Sequence, residues 1–503
     1  MYQSLAICTL TYAKKGLANN MNSLDKGSAK RQRTDSSTSQ SAELKYLSGF
    51  GNTFKSEALR GALPKGQHNP QRPPYGLYAE QLSGSAFTRP RGLNFRSWLY
   101  RIRPSVQHVP FVSVEAPKLV SDFDKDGILD PNQMRWFPPT IPNANEEAMD
   151  FVDGLRTMGG AGSPSSKNGF ATHMYVANSS MKNKCFCNAD GDFLIVPQCG
   201  ALTIRTEFGI LRVEPKEICV IQRGMRFSVD IDGPSRGYIL ELFSRHFSLP
   251  DLGPIGANGL ANPEDFLHPV AAYEDKENIE YVVMEKFGGK MFRAVQSFSP
   301  FNVVAYMGNY VPYKYDLQKF NCMNSVTYDH PDPSIYTVLT CQSEEAGVAV
   351  ADFVIFPPRW MVMEHTFRPP YYHRNCMCEF MGMIYGVYDA KGGSTGKDGK
   401  PKGFVPGGAS LHSPMSAHGP DANTHAKASS APLKPHFFDG GLAFMFETSH
   451  MMKLTDYALS GNHRDIEYYK CWANLPRNFN PKAPGKDDGE TLGEWRSKAL
   501  TNS

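Results

Sequence analysis

Between Phe193 and Phe243 short apolar runs alternate with turns: Phe193-Leu-Ile-Val196, Ala201-Leu-Thr-Ile204, Gly209-Ile-Leu-Arg-Val213, Ile218-Cys-Val-Ile221, Arg226-Phe-Ser-Val229 and Tyr238-Ile-Leu-Glu-Leu-Phe243. Gly200, Gly209, Gly224 and Gly233 punctuate them. Strands recurring every ~8 to 12 residues with turn residues between them predict an antiparallel sandwich or barrel. A second set follows at Ile335-Tyr-Thr-Val-Leu-Thr340, Val348 to Phe356, Phe380 to Tyr388 and Ala443-Phe-Met-Phe446. The two sets predict a protein dominated by β-strands, in two halves with short helices and long loops. The expected boundaries are a polar tail over 1–43, an N-terminal β-sandwich over 44–318, a catalytic C-terminal domain over 319–480 and a second polar tail over 481–503. The first strand set holds no histidine before His246, so the N-terminal half is expected to be structural and metal-free.

Length and composition suit a soluble enzyme. The 503 residues exceed what one folded unit ordinarily holds. Lys and Arg together number 53 against 50 for Asp and Glu, so nothing in the charge asks for nucleic acid or an anionic membrane surface. No apolar stretch is long enough to cross a bilayer. Ten cysteines without regular spacing argue for reduced thiols and a cytoplasmic location. Residues 1–43 differ from the rest: Lys30-Arg31-Gln-Arg33-Thr-Asp-Ser-Ser-Thr-Ser-Gln-Ser41 is polar and unlike a folding unit. Met21 offers an alternative start to Met1.

Candidate chemistry concentrates near the C-terminus, in Tyr371-Tyr-His373-Arg-Asn-Cys-Met-Cys-Glu379, Leu411-His412-Ser413 and Ala417-His418-Gly-Pro420. A histidine in a Pro-rich loop is ordinarily solvated or hydrogen-bonded, so none of these is a ligand on its own. Clustering changes the picture, because nine of the 14 histidines fall at or after position 330 and Glu379 lies among them. Two imidazoles and one carboxylate, drawn from His373, Glu379 and either His412 or His418, would make a mononuclear metal site with open positions. In a straight strand residues 373 and 379 would stand about 20 Å apart, so sharing a metal requires a turn between them. Arg374-Asn375 is the expected place, since Asn tolerates turn geometry. Glu379 should then sit at the mouth of the strand Phe380 to Tyr388. His412 and His418 belong to the Gly/Pro/Ser-rich segment Pro406 to Pro420, which reads as an ordered loop.

Three other motifs are decoys. Asp122-Phe-Asp124-Lys-Asp126-Gly127 begins like a calcium loop, but its twelfth position is Gln133, so an acidic turn is expected. Gly396-Lys397-Asp398 lacks the first glycine and the Ser/Thr of a phosphate-binding loop. Cys376-Met-Cys378 and Cys185-Phe-Cys187 are isolated pairs without zinc-ribbon spacing.

Further blocks lie in one order along the chain: Tyr46-Leu-Ser-Gly-Phe-Gly-Asn-Thr53, Pro300-Phe-Asn-Val-Val-Ala305, Asp329-His-Pro-Asp-Pro-Ser334, Ala351-Asp-Phe-Val-Ile-Phe-Pro-Pro-Arg-Trp360, Phe404-Val-Pro-Gly-Gly408 and His418-Gly-Pro-Asp-Ala422. With the histidine blocks they resemble the homogentisate 1,2-dioxygenase family from about residue 44 to about residue 475. The resemblance implies two cupin-like jelly-roll halves and a ferrous ion, Fe(2+), held by His373, Glu379 and His418. It implies homogentisate and dioxygen as substrates, maleylacetoacetate as product, and assembly as trimers or paired trimers. His330 matches an active-site histidine acting as base, and His412 a histidine beside the iron. Tyr388, His418, Arg368 and Lys391 fall where the hydroxyl and carboxylate of the substrate would be held. The stretch from 392 to 403 is longer than its counterpart in the family members it most resembles.

Overall fold

A computed structural model of the chain describes residues 44–116, 118–251, 260–323, 332–363, 366–395 and 401–482. His330, residues 1–43 and most of the C-terminal tail therefore lie outside the described residues. Three large antiparallel-dominated sheets are stacked, with a nine-stranded sheet in the middle, a seven-stranded sheet on one face and a six-stranded sheet on the other. The strand Asp192–Cys199 shows why its sequence is apolar without alternation. Leu194 and Val196 pack with Phe353, Phe380 and Phe444 of the six-stranded sheet, while Phe193 and Ile195 pack with Ile204, Leu211 and Phe227 of the seven-stranded sheet. Both faces are buried. By contrast Leu202–Thr206 and Gly209–Val213, on the outside of the stack, alternate buried and half-buried positions, as their Leu-Thr-Ile-Arg-Thr and Gly-Ile-Leu-Arg-Val sequences dictate.

All ten predicted runs form strands or enter one, and the architecture is dominated by β-strands with only short helices. The halves exchange strands. Met134–Trp136, from the first, pairs with Ala409–His412 at the edge of the six-stranded sheet, and Lys453–Leu454, from the second, pairs with Leu155–Ser163 in the nine-stranded sheet. Tyr238 ties the middle sheet to the six-stranded one: its ring meets Phe444 edge-on at 4.8 Å and its hydroxyl donates to the Gly408 carbonyl at 2.7 Å. Each fully buried aromatic or aliphatic side chain here contributes about 1.5–3 kcal/mol.

Two long hairpins fall outside the predicted sets, Leu155–Ser163 with Asn168–Ala177 and Glu277–Phe287 with Lys290–Phe298. The first is Gly-rich and the second is interrupted by charges, so neither shows clean alternation. The second turns at Gly288-Gly289, whose φ of 59° and 76° only glycine adopts without strain. Asp122 to Gly127 forms one helical turn, Phe123–Asp126, anchored by buried Phe123 and by an Asp124–Lys453 ion pair at 2.8 Å. Nine cysteines are described and all are free thiols. Among the described residues no helix is long and apolar enough to cross a membrane.

Candidate metal centre

The site lies on the six-stranded sheet, on the face turned away from the middle of the stack. In Cys378–Gly386 the residues alternate: Phe380 packs against Trp136 and Phe446 on one face, whereas Glu379 and Met381 line a cavity of 370 Å³ on the other. Register then aligns a row of polar side chains, because Glu379 stands opposite His412 on one neighbouring strand and opposite Glu447 on the other. The Gly/Pro/Ser composition around His412 predicts a loop, but Ala409–His412 is a strand. Leu411 is drawn into the core and His412 is thereby fixed on the cavity face. Pairing with Cys378–Gly386 outweighs local composition there.

Asn375 makes the expected turn. Its Oδ1 accepts from the Met377 amide at 2.8 Å, and its Nδ2 donates to Glu379 Oε1 at 2.6 Å. The chain folds back far enough to put His373 Nε2 at 3.7 Å from Glu379 Oε1. His373 and His418 are joined by a two-residue antiparallel bridge, with amide-to-carbonyl distances of 2.9 and 3.1 Å, and their rings stand 4.2 Å apart. The group of potential ligand atoms within 4.8 Å of one another is therefore His373, Glu379 and His418.

Hydrogen bonding at the far side of each ring decides what the near side offers. His418 Nδ1 lies 2.9 Å from the Ser416 carbonyl and His373 Nδ1 lies 3.1 Å from the Tyr371 carbonyl. A carbonyl only accepts, so both Nδ1 atoms carry the proton and both Nε2 atoms turn lone pairs toward Glu379. His418 Nε2 is buried without a hydrogen-bond partner, 3.0 Å from Glu379 Oε2. A lone pair facing a carboxylate at that distance calls for a cation between them. A metal ion fits that description, and two neutral imidazoles with one carboxylate suit iron, zinc or manganese alike. Without a metal, a proton takes that place: the Glu379 bond and the Tyr371 carbonyl, set against burial, raise the pKa of His373 above its ordinary value. Burial acts to raise that of Glu379, but bonds from His373, His412 and His418 outweigh it and hold the carboxyl well below the usual range.

His412 stacks on His418 with ring centroids 4.0 Å apart and planes 5° from parallel. Its Nδ1 lies 3.5 Å from Glu379 Oε2. Behind it, Nε2 lies 3.0 Å from both Lys391 Nζ and the Tyr468 hydroxyl. Lys391 is buried, and burial, only partly offset by the pull of Glu379, brings its pKa down to about 8. Tyr388 lines the same cavity, edge-on to Phe356 and Phe404, with its pKa raised by burial. Arg368 is not among the lining residues; its Nη2 donates to the Val362 and Met363 carbonyls at 3.3 and 3.0 Å. The long stretch after Lys391 begins as a hairpin, with Gly393–Thr395 paired to Pro401–Gly403.

Several cavity residues are not among the site candidates that the sequence offers. Arg374, Arg359, Glu447 and Asp332 also line it, and Arg359 pairs with Asp389 at 3.3 Å while lying against Tyr336, Phe356 and Phe438. Burial, with Asp352 and Glu379 nearby, pushes Glu447 up to about 7. Tyr468 sits in a polar C-terminal segment that no motif distinguishes.

Two family models cover nearly all of the described chain: the homogentisate 1,2-dioxygenase N-terminal model matches residues 45–317 and the C-terminal model residues 318–479. The chain belongs to the homogentisate 1,2-dioxygenase family. It is 59% identical to the homogentisate 1,2-dioxygenase of Mus musculus over 447 residues, which is 88% of this chain and 98% of that relative. The Homo sapiens relative is 58% identical over 447 residues, with the same shares, and that of Arabidopsis thaliana 57% over 445 residues, 87% of this chain and 94% of its own length. In the vocabulary of that family the His373, Glu379 and His418 group stands in the C-terminal module, while strand Met134–Trp136 beside it comes from the N-terminal one.

Proposed function

We propose that this chain opens the aromatic ring of homogentisate with dioxygen, giving maleylacetoacetate, as a step of tyrosine and phenylalanine catabolism, and that His373, Glu379 and His418 hold the ferrous ion. The observation that carries the reading is the pair of Nε2 lone pairs turned on Glu379 beside a 370 Å³ cavity, in a chain of this family. A cavity of that size falls in the usual small-molecule range of about 300–1,000 Å³. Ferrous ion, when bound, supplies an electron-rich centre at which substrate and dioxygen can meet.

The chain's own residues do the rest. Tyr388, Arg374 and Lys391 line the cavity, and their donors suit an anionic substrate bearing ring hydroxyls. His412 and Asn375 hold the two oxygens of Glu379 in place. Met381, Met445 and Phe356 give the cavity an apolar side for the ring. His330, in Asp329-His-Pro331, takes the proton of the hydroxyl being oxidised. The enzyme works in the cytoplasm as a trimer or paired trimers. The test is anaerobic loading with ferrous ion followed by oxygen uptake with homogentisate. One dioxygen per homogentisate with maleylacetoacetate formed supports the reading; uptake that yields only the quinone overturns it.

A further inference from the structure

His412 lies behind Glu379 with both ring nitrogens engaged, and the two sides are unequal. On the far side two groups converge on Nε2, Lys391 Nζ and Tyr468 Oη, each at 3.0 Å. On the near side Nδ1 is buried with no hydrogen-bond partner, and Glu379 Oε2 stands 3.5 Å away. An ammonium group only donates and a phenol donates readily. If Nε2 carried the ring proton, it would point a donor at the lysine and leave the Nδ1 lone pair facing a carboxylate. If Nδ1 carries it, both far-side donors find the Nε2 lone pair and Glu379 Oε2 faces an N–H. The ring and both far-side groups are buried: Lys391 is 5% exposed, His412 1% and Tyr468 1%. In such buried surroundings an unmatched polar group is costly.

We infer that Lys391 and Tyr468 are positioning residues that lock His412 as its Nδ1–H tautomer, so that one oxygen of Glu379 faces the His412 ring proton while the other accepts from Asn375. The inference rests on the reading of Glu379 as an iron ligand for its functional meaning, although the tautomer itself is a property of the chain. Lys391 and Tyr468 act through His412, and their duplication is part of the device. Either donor alone can occupy the Nε2 lone pair; loss of both frees the ring to rotate its proton. The Tyr468 ring also packs against the Lys391 ammonium, with Nζ 5.6 Å from its centre, so the two hold each other.

Neutron diffraction from deuterium-exchanged crystals of the iron-loaded enzyme reads the proton directly, without a variant. Deuterium on His412 Nδ1 and none on Nε2 is the expected result; deuterium on Nε2 overturns the inference. A second arm measures ferrous affinity by anaerobic chelator competition for Tyr468→Phe, Lys391→Met and the double variant, with melting temperature as a check on folding. The single variants each keep one donor and should lose little, whereas the double should lose about tenfold or more, the usual scale for partners of a ligand's orienting group, and more than the product of the singles. Losses that simply multiply overturn the lock. Retention of iron by His373→Ala, Glu379→Ala and His418→Ala would instead overturn the site assignment, and it would leave the neutron result standing.

Discussion

His173 with Glu241 and His418 with Glu379 are the same two groups at the same separation, 3.0 Å, one pair in each half of the molecule. Their surroundings differ in what they leave over. Thr157 Oγ1 accepts from the Val120 amide and stands 2.9 Å from His173 Nδ1, so its hydroxyl donates to that nitrogen and His173 Nε2–H donates to Glu241. The other Glu241 oxygen accepts from Asn188 at 2.7 Å and Lys286 at 2.8 Å, and Lys286 reaches Asp190, which also accepts from the Gly288 and Gly289 amides. Every site is matched. Around Glu379 the backbone carbonyls of Tyr371 and Ser416 select the opposite tautomer, and the Nε2 lone pairs are left over. A buried histidine–carboxylate pair is thus a brace when its donors and acceptors balance, and a candidate metal centre when acceptors are in excess.

The strongest way to break that comparison is to remove ligands. His373→Ala, Glu379→Ala and His418→Ala should each reduce iron from near one per chain to near none and abolish oxygen uptake, measured on one preparation. Full iron in all three would show that the lone pairs serve something else. Next in size, His330→Ala should keep its iron while turnover falls by about 10²-fold or more, the scale of a lost general base. Iron lost together with activity would make His330 a ligand, and normal turnover would show that it takes no part in the chemistry.

On the balanced side, Lys286→Met leaves Glu241 and Asp190 buried without their cation. Chemical denaturation should report a loss of about 3–5 kcal/mol, with iron content per folded chain unchanged. A variant as stable as the parent would mean that the network contributes no net stability. Acid should separate the two sites in order. Iron needs His373 without the proton whose pKa the Glu379 carboxylate raises above 6.5, so ferrous affinity should fall as pH drops into that region. The Glu241 carboxyl is buried, and Lys286 and His173 overcome that burial to bring it from 4.5 to about 2. Its contribution is present above 4.5 and is lost as pH falls through about 2. Iron release titrated alongside unfolding should therefore come first; simultaneous loss would show the two clusters to be one cooperative unit. Smallest of all, deleting residues 1–43 should leave melting temperature and turnover unchanged, because so polar a segment has little to bury.

Much of this was legible in the residues. Glycine-punctuated apolar runs specify strands because side-chain alternation and turn chemistry are local, and His373, Asn375 and Glu379 disclose a turn followed by a strand mouth for the same reason. The continuous run Phe193 to Val196 announces a strand buried on both faces, although not what covers each face. Hidden from local reading were the two hairpins masked by glycines and charges, and the strand Ala409–His412, whose composition is that of a loop until a neighbour supplies hydrogen bonds.

The sequence by itself determined the strand periodicity, the polar tail and the identity of the ligand atoms on offer, since these depend on residue type and on spacing within a few positions. Residue type and spacing left the choice between His412 and His418 open; the family resemblance implied His418, and the tertiary structure supplies the physical distinction between them. Both carry the same ring, six residues apart, and only the bridge to His373 and the carbonyl of Ser416 turn one of them into a lone-pair donor beside Glu379. The other is turned against Lys391 and Tyr468. The difference is one of tautomer and orientation. Both are set by partners up to 56 residues away, through contacts that form only when the sheet has closed.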